Sequence, residues 1–281
     1  MRTYFYLPVC FVVLLVICLM FAPARRVTGD LEVSGRPSAL PANHPISSKK
    51  TFGDLCRDDA VEAIATAMRK YKSDVESYTC TLIKQERIRG ELRDPETIAC
   101  DFREAPFSVL MRWIEGKGRA DAMLYVAGEN GDQLLLVPSN ETLKAALRVM
   151  GKTYGKRALN SDDARNAARY PANQFGLYYG TERVYSAWRA AMEAGTLRTQ
   201  YDGVRAIPEL GGRPCHVLHR MCVAPEEDGL TRVTLMFDAE TLLQTGSVLV
   251  AGDDLIATYY FRDIKLNPKF DADHFSPERL K

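Results

Sequence analysis

The chain lacks the short sequence motifs by which catalytic, metal-binding and phosphate-binding sites are usually recognised. It contains no Cys-x-x-Cys pair, so neither a zinc knuckle nor a dithiol redox motif is supported. Gly116-x-Gly118 leads into Arg119 without a strand-to-helix switch and is therefore no phosphate-binding loop. No serine has the sequence context of a nucleophile elbow. We therefore predict no catalytic residue and no cofactor, and expect the protein not to be an enzyme.

The chain also lacks an excess of charge of either sign. Lys and Arg number 37 against 36 Asp and Glu, and removing residues 1–24 removes only Arg2, which leaves 36 against 36. A nucleic-acid-binding domain normally shows a basic excess or stripe. The composition therefore predicts no nucleic-acid partner.

Histidine is scarce, with four in the chain, and the only close pair is His216 and His219. On a strand, residues three apart lie on opposite faces, so the two rings cannot easily share a metal ion. Asp253 and Asp254 follow Gly252 at a turn, where turn chemistry accounts for them. No metal site is predicted.

The N-terminus favours export. Arg2 precedes a run from Tyr4 to Phe21 without charge, followed by Ala22-Pro23-Ala24. A basic start, an apolar core and an A-x-A site are typical of a cleaved secretory signal. The uncharged stretch is also long enough to span a bilayer, so residues 1–24 are either a signal peptide or a signal anchor. Both alternatives place the rest of the chain in the periplasm or cell envelope, the second with attachment to the inner membrane through residues 4–24.

Residues 25–53 are rich in Pro, Ser and Gly and show no apolar periodicity, which predicts a disordered linker. A single domain, 54–281, follows. Five cysteines lie after the N-terminal run, an odd number: Cys56, Cys80, Cys100, Cys215 and Cys222. Cys80 and Cys100 fall on neighbouring predicted strands, so either one disulfide or buried free thiols is expected there.

Helical periodicity is confined to three stretches. Apolar residues at helical spacing from Val61 to Val75, with Asp58 or Asp59 as a cap, predict the first helix. Asn140 is expected to cap a short second helix. A longer third helix is expected over about 173–194, where Gly176 and Gly180 weaken the first turns. We expect a helical insertion over about 140–195.

Alternating apolar runs with short polar breaks predict an antiparallel sheet of about eight or more strands. Both alternating sets are apolar or aromatic from Leu255 to Phe261, which predicts a strand covered on both faces. The runs are YTCTLIKQERIRG, ETIACDFRE, FSVLMRWIE, DAMLYVAG, DQLLLVPS, CHVLHRMCV and the three strands of the meander from Thr231 to Leu266.

The order of these segments resembles the lipoprotein-carrier superfamily of LolA and LolB. The resemblance runs from the helix before Tyr78, through the strand closed by Trp113, to the terminal Asp271 to Phe275, and covers about residues 55–276. YTCTLIKQERIRG with FREAPFSVLMRW is also similar to an uncharacterised family of exported planctomycete proteins, a domain of unknown function. The resemblance implies an α+β fold, a curved antiparallel half-barrel sheet with helices across its concave face.

That fold implies a non-enzymatic domain that binds an apolar ligand, a lipid or the acyl chains of a lipoprotein, in a concave groove. Arg103 is the nearest match to the carrier family's ligand-release arginine. The alternative is an envelope scaffold or interaction domain with a filled core and no ligand. The residues expected to line the groove are Arg103, Trp113, Tyr125, Met221, Leu235, Tyr259 and Phe261.

Overall fold

The alternating strands expected from the sequence assemble into one open antiparallel sheet. The computed structural model describes residues 50–116, 118 and 120–280, which hold twelve strands. Their spatial order is β7-β6-β5-β4-β3-β1-β12-β11-β10-β9-β8, with β2 beside β1, so β7 and β8 form the free edges. The predicted α+β half-barrel class is confirmed. The strands are β1 (Ser77–Ile88), β2 (Glu91–Leu92), β3 (Glu96–Arg103), β4 (Ser108–Glu115), β5 (Ala120–Val126), β6 (Gln133–Pro138), β7 (Gly155–Ala158), β8 (Arg198–Ile207), β9 (Arg213–Met221), β10 (Arg232–Asp238), β11 (Gln244–Ala251) and β12 (Asp254–Leu266).

Five α-helices accompany the sheet within the described residues, and three match the expected stretches closely. Asp59 caps α2 by accepting a hydrogen bond from the Glu62 amide, and Asn140 caps α3 through the Leu143 amide. Both caps use the short polar side chains that such positions favour. The helices are α1 (Phe52–Asp58), α2 (Ala60–Asp74), α3 (Glu141–Val149), α4 (Asp162–Arg165) and α5 (Leu177–Glu193), with short 3-10 turns at Ala172–Gln174, Pro208–Leu210, Glu227–Gly229 and Pro277–Leu280.

Helical structure begins earlier than the sequence suggested. Thr51 and Asp54 form a reciprocal capping box that starts α1 at Phe52, so the linker prediction was wrong at its C-terminal end. The Thr-x-x-Asp spacing is a recognisable helix start, but it is embedded in a polar stretch without apolar periodicity. The predicted signal or anchor and residues 25–49 of the predicted linker lie outside the described residues. In the part of the chain that is described, no helix is long and apolar enough to cross a membrane.

The insertion at 140–195 is not wholly helical. It contains the edge strand β7, which pairs with β6 from Gly155 opposite Leu136 to Ala158 opposite Gln133. Lys156 and Arg157 occupy the middle of this strand, so it carries no apolar alternation by which to recognise it. Basic residues on an exposed edge strand commonly prevent it from pairing with a strand of another chain.

Register across the sheet assigns each side chain to one of two faces. Tyr78 lies opposite Phe102, and Leu82 lies opposite both Ile98 and Phe261. Directly opposed residues of antiparallel strands share a face. The Leu177 amide at the start of α5 donates to Tyr78 Oη, and the Phe52 ring of α1 packs on Phe237 of β10. We call the face bearing α1, α2 and α5 the concave face and its reverse the convex face.

The convex face is covered by chain segments rather than by long helices. The C-terminal segment places Phe275 and Leu280 against Leu110, Leu124 and Leu135. The Pro208–Leu210 turn covers Cys215, Val217 and Met236 on the other half of the sheet. Apolar cover on both faces explains why both alternating sets of β12 are apolar, as the sequence predicted.

The cysteines are free thiols in this structure, and four of the five among the described residues are buried. Cys80 and Cys100 lie directly opposite each other on β1 and β3, on the concave face. Of the two alternatives that the sequence left open, the structure therefore has the buried thiols. The hydrogen bond with Cys100, together with burial, raises the pKa of Cys80.

Candidate ligand-binding face

One half of the concave face carries a continuous group of aromatic rings, which we call the aromatic cluster. Tyr78 stacks on Phe102 with ring centroids 4.8 Å apart, and Phe102 in turn meets Phe107 at 5.3 Å. The strands β1, β3 and β12 and the segment before α5 therefore converge on one aromatic surface. Its members are Tyr78, Phe102, Phe107, Tyr125, Phe175, Tyr179 and Phe261.

The rings of this cluster differ in how completely they are buried. Tyr78 and Phe102 are fully enclosed at 0% exposure. Phe107, Phe175 and Phe261 are only half-buried, although each contacts other rings. Apolar surface left in contact with water can be removed from it by a ligand, which is favourable in proportion to the area covered.

Beside the aromatic cluster lies a set of charged and polar side chains that we call the polar belt. Lys84 Nζ forms ion pairs with Glu86 at 2.7 Å and Glu96 at 2.9 Å. Trp113 Nε1 donates to Glu96 at 2.8 Å, and Tyr259 Oη donates to Glu86 at 2.5 Å. These five residues come from the neighbouring strands β12, β1, β3 and β4, so the belt crosses the middle of the sheet.

Burial and pairing act in opposite directions on the belt. Burial lowers the pKa of the Lys84 ammonium, but the carboxylates of Glu86 and Glu96 outweigh it, and the pKa lies above its ordinary value. Burial, reinforced by Glu86, raises the pKa of the Tyr259 phenol. Lys84 is therefore a cation at neutral pH, and Tyr259 is a neutral donor.

Helix α5 brings a further cation to the same face. The Arg183 guanidinium lies 3.9 Å from the centroid of the Tyr170 ring and donates to the Gln174 carbonyl at 3.0 Å. Tyr170 in turn contacts the ring of Tyr259, which links Arg183 to the polar belt. Burial lowers the pKa of Arg183, and the nearby Tyr170, Tyr259 and Glu182 only partly oppose that effect. Such a guanidinium can pair with an anionic group brought by a ligand.

The start of α5 is fixed by a close approach to the aromatic cluster. Gly176 has φ of 119°, and a Cβ there would lie 2.9 Å from Tyr78 Oη. The N-cap has no side-chain hydrogen bond, and the Leu177 amide instead donates to Tyr78 Oη at 3.2 Å. Gly176 is thus outside the helix, which corrects the expectation that it lies in the first turns. Gly180 does lie in the helix, with nothing near its missing Cβ.

The structure brings four of the seven expected groove residues together. Trp113 and Tyr259 belong to the polar belt, and Tyr125 and Phe261 belong to the aromatic cluster. Leu235 also points to the concave face, opposite Leu218 on β9, but it is fully buried in the other half of the sheet. Their role as ligand contacts stays a prediction.

Arg103 and Met221 lie on the convex face, so neither can line a concave groove as expected. Arg103 follows Phe102 on β3, and its guanidinium lies 4.8 Å from the ring centroid of Phe275. Met221 is three residues beyond the concave Leu218, and strand alternation turns it to the opposite side. Alternation along the chain predicted the strands but offered no reference point for deciding which alternating set of side chains faces the helices.

Several residues of the site were not expected. Lys84 and Glu86 alternate with Leu82 on β1, so their sharing of a buried face could have been inferred from the apolar pattern. Phe175 and Arg183 had no such signal, because their positions depend on how the insertion folds back over the sheet.

The two histidines lie as the strand periodicity predicted. His216 contacts Phe52 and Tyr201 on the concave face, whereas His219 lies between Thr234 and Asp202 on the convex face. Within the described residues, no group of three or more His, Cys, Asp and Glu side chains is placed to hold a metal ion.

A family model supplies the relationship of this chain to other proteins. The model described as protein of unknown function (DUF1571) matches residues 75–280, which contain all twelve strands. The chain belongs to this family. The match agrees with the expected resemblance to a family of unknown function. A search of the curated proteins found no significant match.

Solved structures with a similar course of the chain come from several bacteria. Mycobacterium tuberculosis lipoprotein LppX is 9% identical with a TM-score of 0.42, and the alignment covers 77% of this chain and 100% of that one. A domain described as an outer membrane lipoprotein-sorting protein from Vibrio parahaemolyticus is 10% identical with a TM-score of 0.34, covering 78% and 97%. A DUF1329 family protein from Desulfovibrio piger is 10% identical with a TM-score of 0.33, covering 79% and 98%.

Proposed function

We propose that this domain binds an amphiphile, a lipid or the acyl chains of a lipoprotein, on its concave face. The chain would lie along the aromatic cluster, and the polar or charged end would meet the polar belt and Arg183. The role is shielding of apolar surface from water and requires no reacting group.

The observation that carries this proposal is the incomplete burial of Phe107, Phe175 and Phe261 beside the fully buried Tyr78 and Phe102. Rings that already contact one another but keep exposed surface gain from additional apolar contact. Each acyl CH₂ removed from water contributes about 0.8 kcal/mol, so even part of a fatty chain would bind measurably.

The polar belt supports an amphiphilic ligand over a purely apolar one. A buried ion pair is seldom more stabilising than apolar residues of similar size, because both charges lose their hydration. Lys84, Glu86 and Arg183 are nevertheless placed at the margin of the aromatic cluster. An acidic head group would find in Arg183 a guanidinium held by the Tyr170 ring and the Gln174 carbonyl.

Access to the rings requires the cover to move. Half of the residues from 151 to 176 are exposed, most of them before Ala168, and α5 begins without a side-chain cap. Segments with few buried contacts open at low free energy. Residues 151–180 are therefore expected to exchange amide hydrogens faster than the meander at 231–266, and to slow when lipid is bound. Equal exchange in both regions, unchanged by lipid, would leave α5 as fixed cover.

Two neighbouring residues of β12 provide a matched test of which face of the sheet binds the ligand. Phe261 points to the concave face, whereas Tyr260 points to the convex face and packs beside Val248. Purified protein should bind a fluorescent fatty acid saturably, and phosphatidylglycerol should displace it. Phe261→Ala should weaken binding about ten- to a hundredfold, since it removes apolar contact worth about 1.5–3 kcal/mol. Tyr260→Ala should leave the affinity unchanged.

The alternative is an envelope scaffold with a filled core and no ligand. It is favoured by the other half of the concave face, where Leu218, Leu235 and Phe237 are fully buried. Absence of saturable probe binding, together with lipid-free native mass spectra of protein purified from its own envelope, would establish the scaffold in place of the carrier.

The proposal includes export to the periplasm or cell envelope, and it rests on the sequence of residues 1–24. The folded domain should resist protease in intact cells and be digested once the outer barrier is opened. Protection that lasts until the inner membrane is lysed would place the domain in the cytoplasm. Fractionation of membranes then separates a cleaved signal from attachment through residues 4–24.

A further inference from the structure

Helix α3 is amphipathic, but its apolar side faces away from the domain and so does not contribute to a core. Its apolar side chains Leu143, Leu147 and Met150 recur at the spacing of one helical face. A surface helix normally turns such a face inward. Here no residue of α3 is buried, and Leu143 and Met150 are 54% and 64% exposed. Val149, at the end of the helix, is 90% exposed.

The polar side of α3 is the side that contacts the domain. Lys144 Nζ pairs with Asp121 of β5 at 2.5 Å. Lys144 and Arg148 line a pocket of about 510 Å³ together with Arg112 and Arg279. The helix is thus attached through its charged side, which leaves the apolar side directed to the surroundings. An apolar surface exposed in this way indicates a contact site for another protein or for a membrane.

The charges near α3 in the sequence indicate which kind of partner its apolar side contacts. Between Asn140 and Ala158 the chain carries five basic residues and one acidic residue, Glu141. Lys152, Lys156 and Arg157 follow the helix and are exposed, and Arg157 also pairs with Asp163 at 3.4 Å. An exposed apolar helical face with basic neighbours matches the surface of a bilayer that contains anionic lipids.

A second copy of the chain fits this surface less well. Pairing of α3 with α3 about a two-fold axis would bring the two basic segments together, because the same patch faces itself in such a dimer. Like charges at close range oppose that contact. We propose that α3 docks the domain on an anionic membrane surface by inserting Leu143, Val149 and Met150 between the head groups. One short helix gives reversible binding, since stable anchoring takes a second signal.

Two exposed valines allow a site-specific test in the full-length protein. A fluorophore is attached at Val149→Cys, or at Val223→Cys as the control, in a background where Cys10, Cys18 and Cys222 are replaced by Ala. Val223 is 66% exposed and lies after β9, far from α3 in sequence. Vesicles of equal parts phosphatidylglycerol and phosphatidylcholine carry bromine on their acyl chains. A label at either position reports whether that site reaches the bilayer, whatever residues 1–24 do.

The label at 149 should be quenched about fivefold more than the label at 223, as expected for a helix at the interface. Leu143→Ser with Met150→Ser should abolish this difference, and high salt or pure phosphatidylcholine should reduce it. Equal quenching at both positions, or no effect of the serine substitutions, overturns the proposal. A concentration-dependent dimer in gel filtration that the same substitutions dissolve would assign α3 to self-association instead. The outcome does not depend on the proposed ligand, because none of the substituted or labelled residues belongs to the aromatic cluster or the polar belt.

Discussion

Helices α2 and α3 are both amphipathic, and the structure uses them in opposite ways. α2 buries eight side chains, including Ala63 and Ile64 at 0% exposure, whereas α3 buries none. α2 lies within the concave face with α5 against it, so its apolar side chains have partners on more than one side. α3 is held at its polar side by the ion pair between Lys144 and Asp121. An apolar stripe therefore indicates that a helix has an apolar partner, but it does not say whether that partner belongs to the same chain.

The largest expected difference between the two helices is in core packing. Ile64→Ala should lower the free energy of unfolding by about 2–5 kcal/mol, because a fully buried side chain leaves a cavity. Leu143→Ala on α3 should change it by less than about 0.5 kcal/mol, as for most surface substitutions. Urea denaturation measures both. A loss at Leu143 comparable to that at Ile64 would mean that α3 contributes to the core after all.

The burial of α2 also depends on where α5 begins. Gly176→Ala should destabilise the domain by about 1–3 kcal/mol, because alanine is strained at φ of 119°. Its Cβ would also meet Tyr78 Oη. Gly180→Ala should stabilise α5 by up to about 1 kcal/mol, since that glycine is helical with open space beside it. Thermal unfolding of the two variants gives opposite shifts if the start of α5 is fixed as described, and parallel shifts if it is not.

The smallest effect concerns the helix caps. Asp59→Ala at α2 should lower global stability by about 0.5–2 kcal/mol, the usual value for a lost N-cap. Asn140→Ala at α3 removes the same kind of hydrogen bond, but α3 can open without exposing the core. Its effect should therefore appear as faster amide exchange confined to α3, with the denaturation midpoint nearly unchanged. A global loss at Asn140 would show that α3 unfolds only with the rest of the domain.

Most of the sheet was predictable because its signals are local. Alternating apolar residues and short polar turns predicted β1 and the meander from β10 to β12, and Asp59 and Asn140 predicted two helix starts. The edge strand β7 was missed, because basic residues replace the apolar alternation where a strand faces water. The start of α1 was missed, because its capping box follows a polar stretch.

The candidate site was only partly predictable. The alternation of β12 predicted that Tyr259 and Phe261 share a face, and the strand closed by Trp113 was recognised. Met221 lies on the convex face, because alternation fixes which residues share one side of a strand but not which side the helices cover. Arg103, expected only from the family resemblance, lies on the same convex face. Arg183 joins the site only because α5 crosses the sheet.

The sequence by itself determined the α+β class, the antiparallel strands and the amphipathic character of α2 and α3, since each follows from side-chain spacing within one segment. Only the tertiary structure decided which face of the sheet is concave, that Lys84 lies between Glu86 and Glu96, and that α3 turns its apolar side outward. These features depend on contacts between segments far apart in the chain. The spacing of side chains within one segment does not show which other segment packs against it, or on which side.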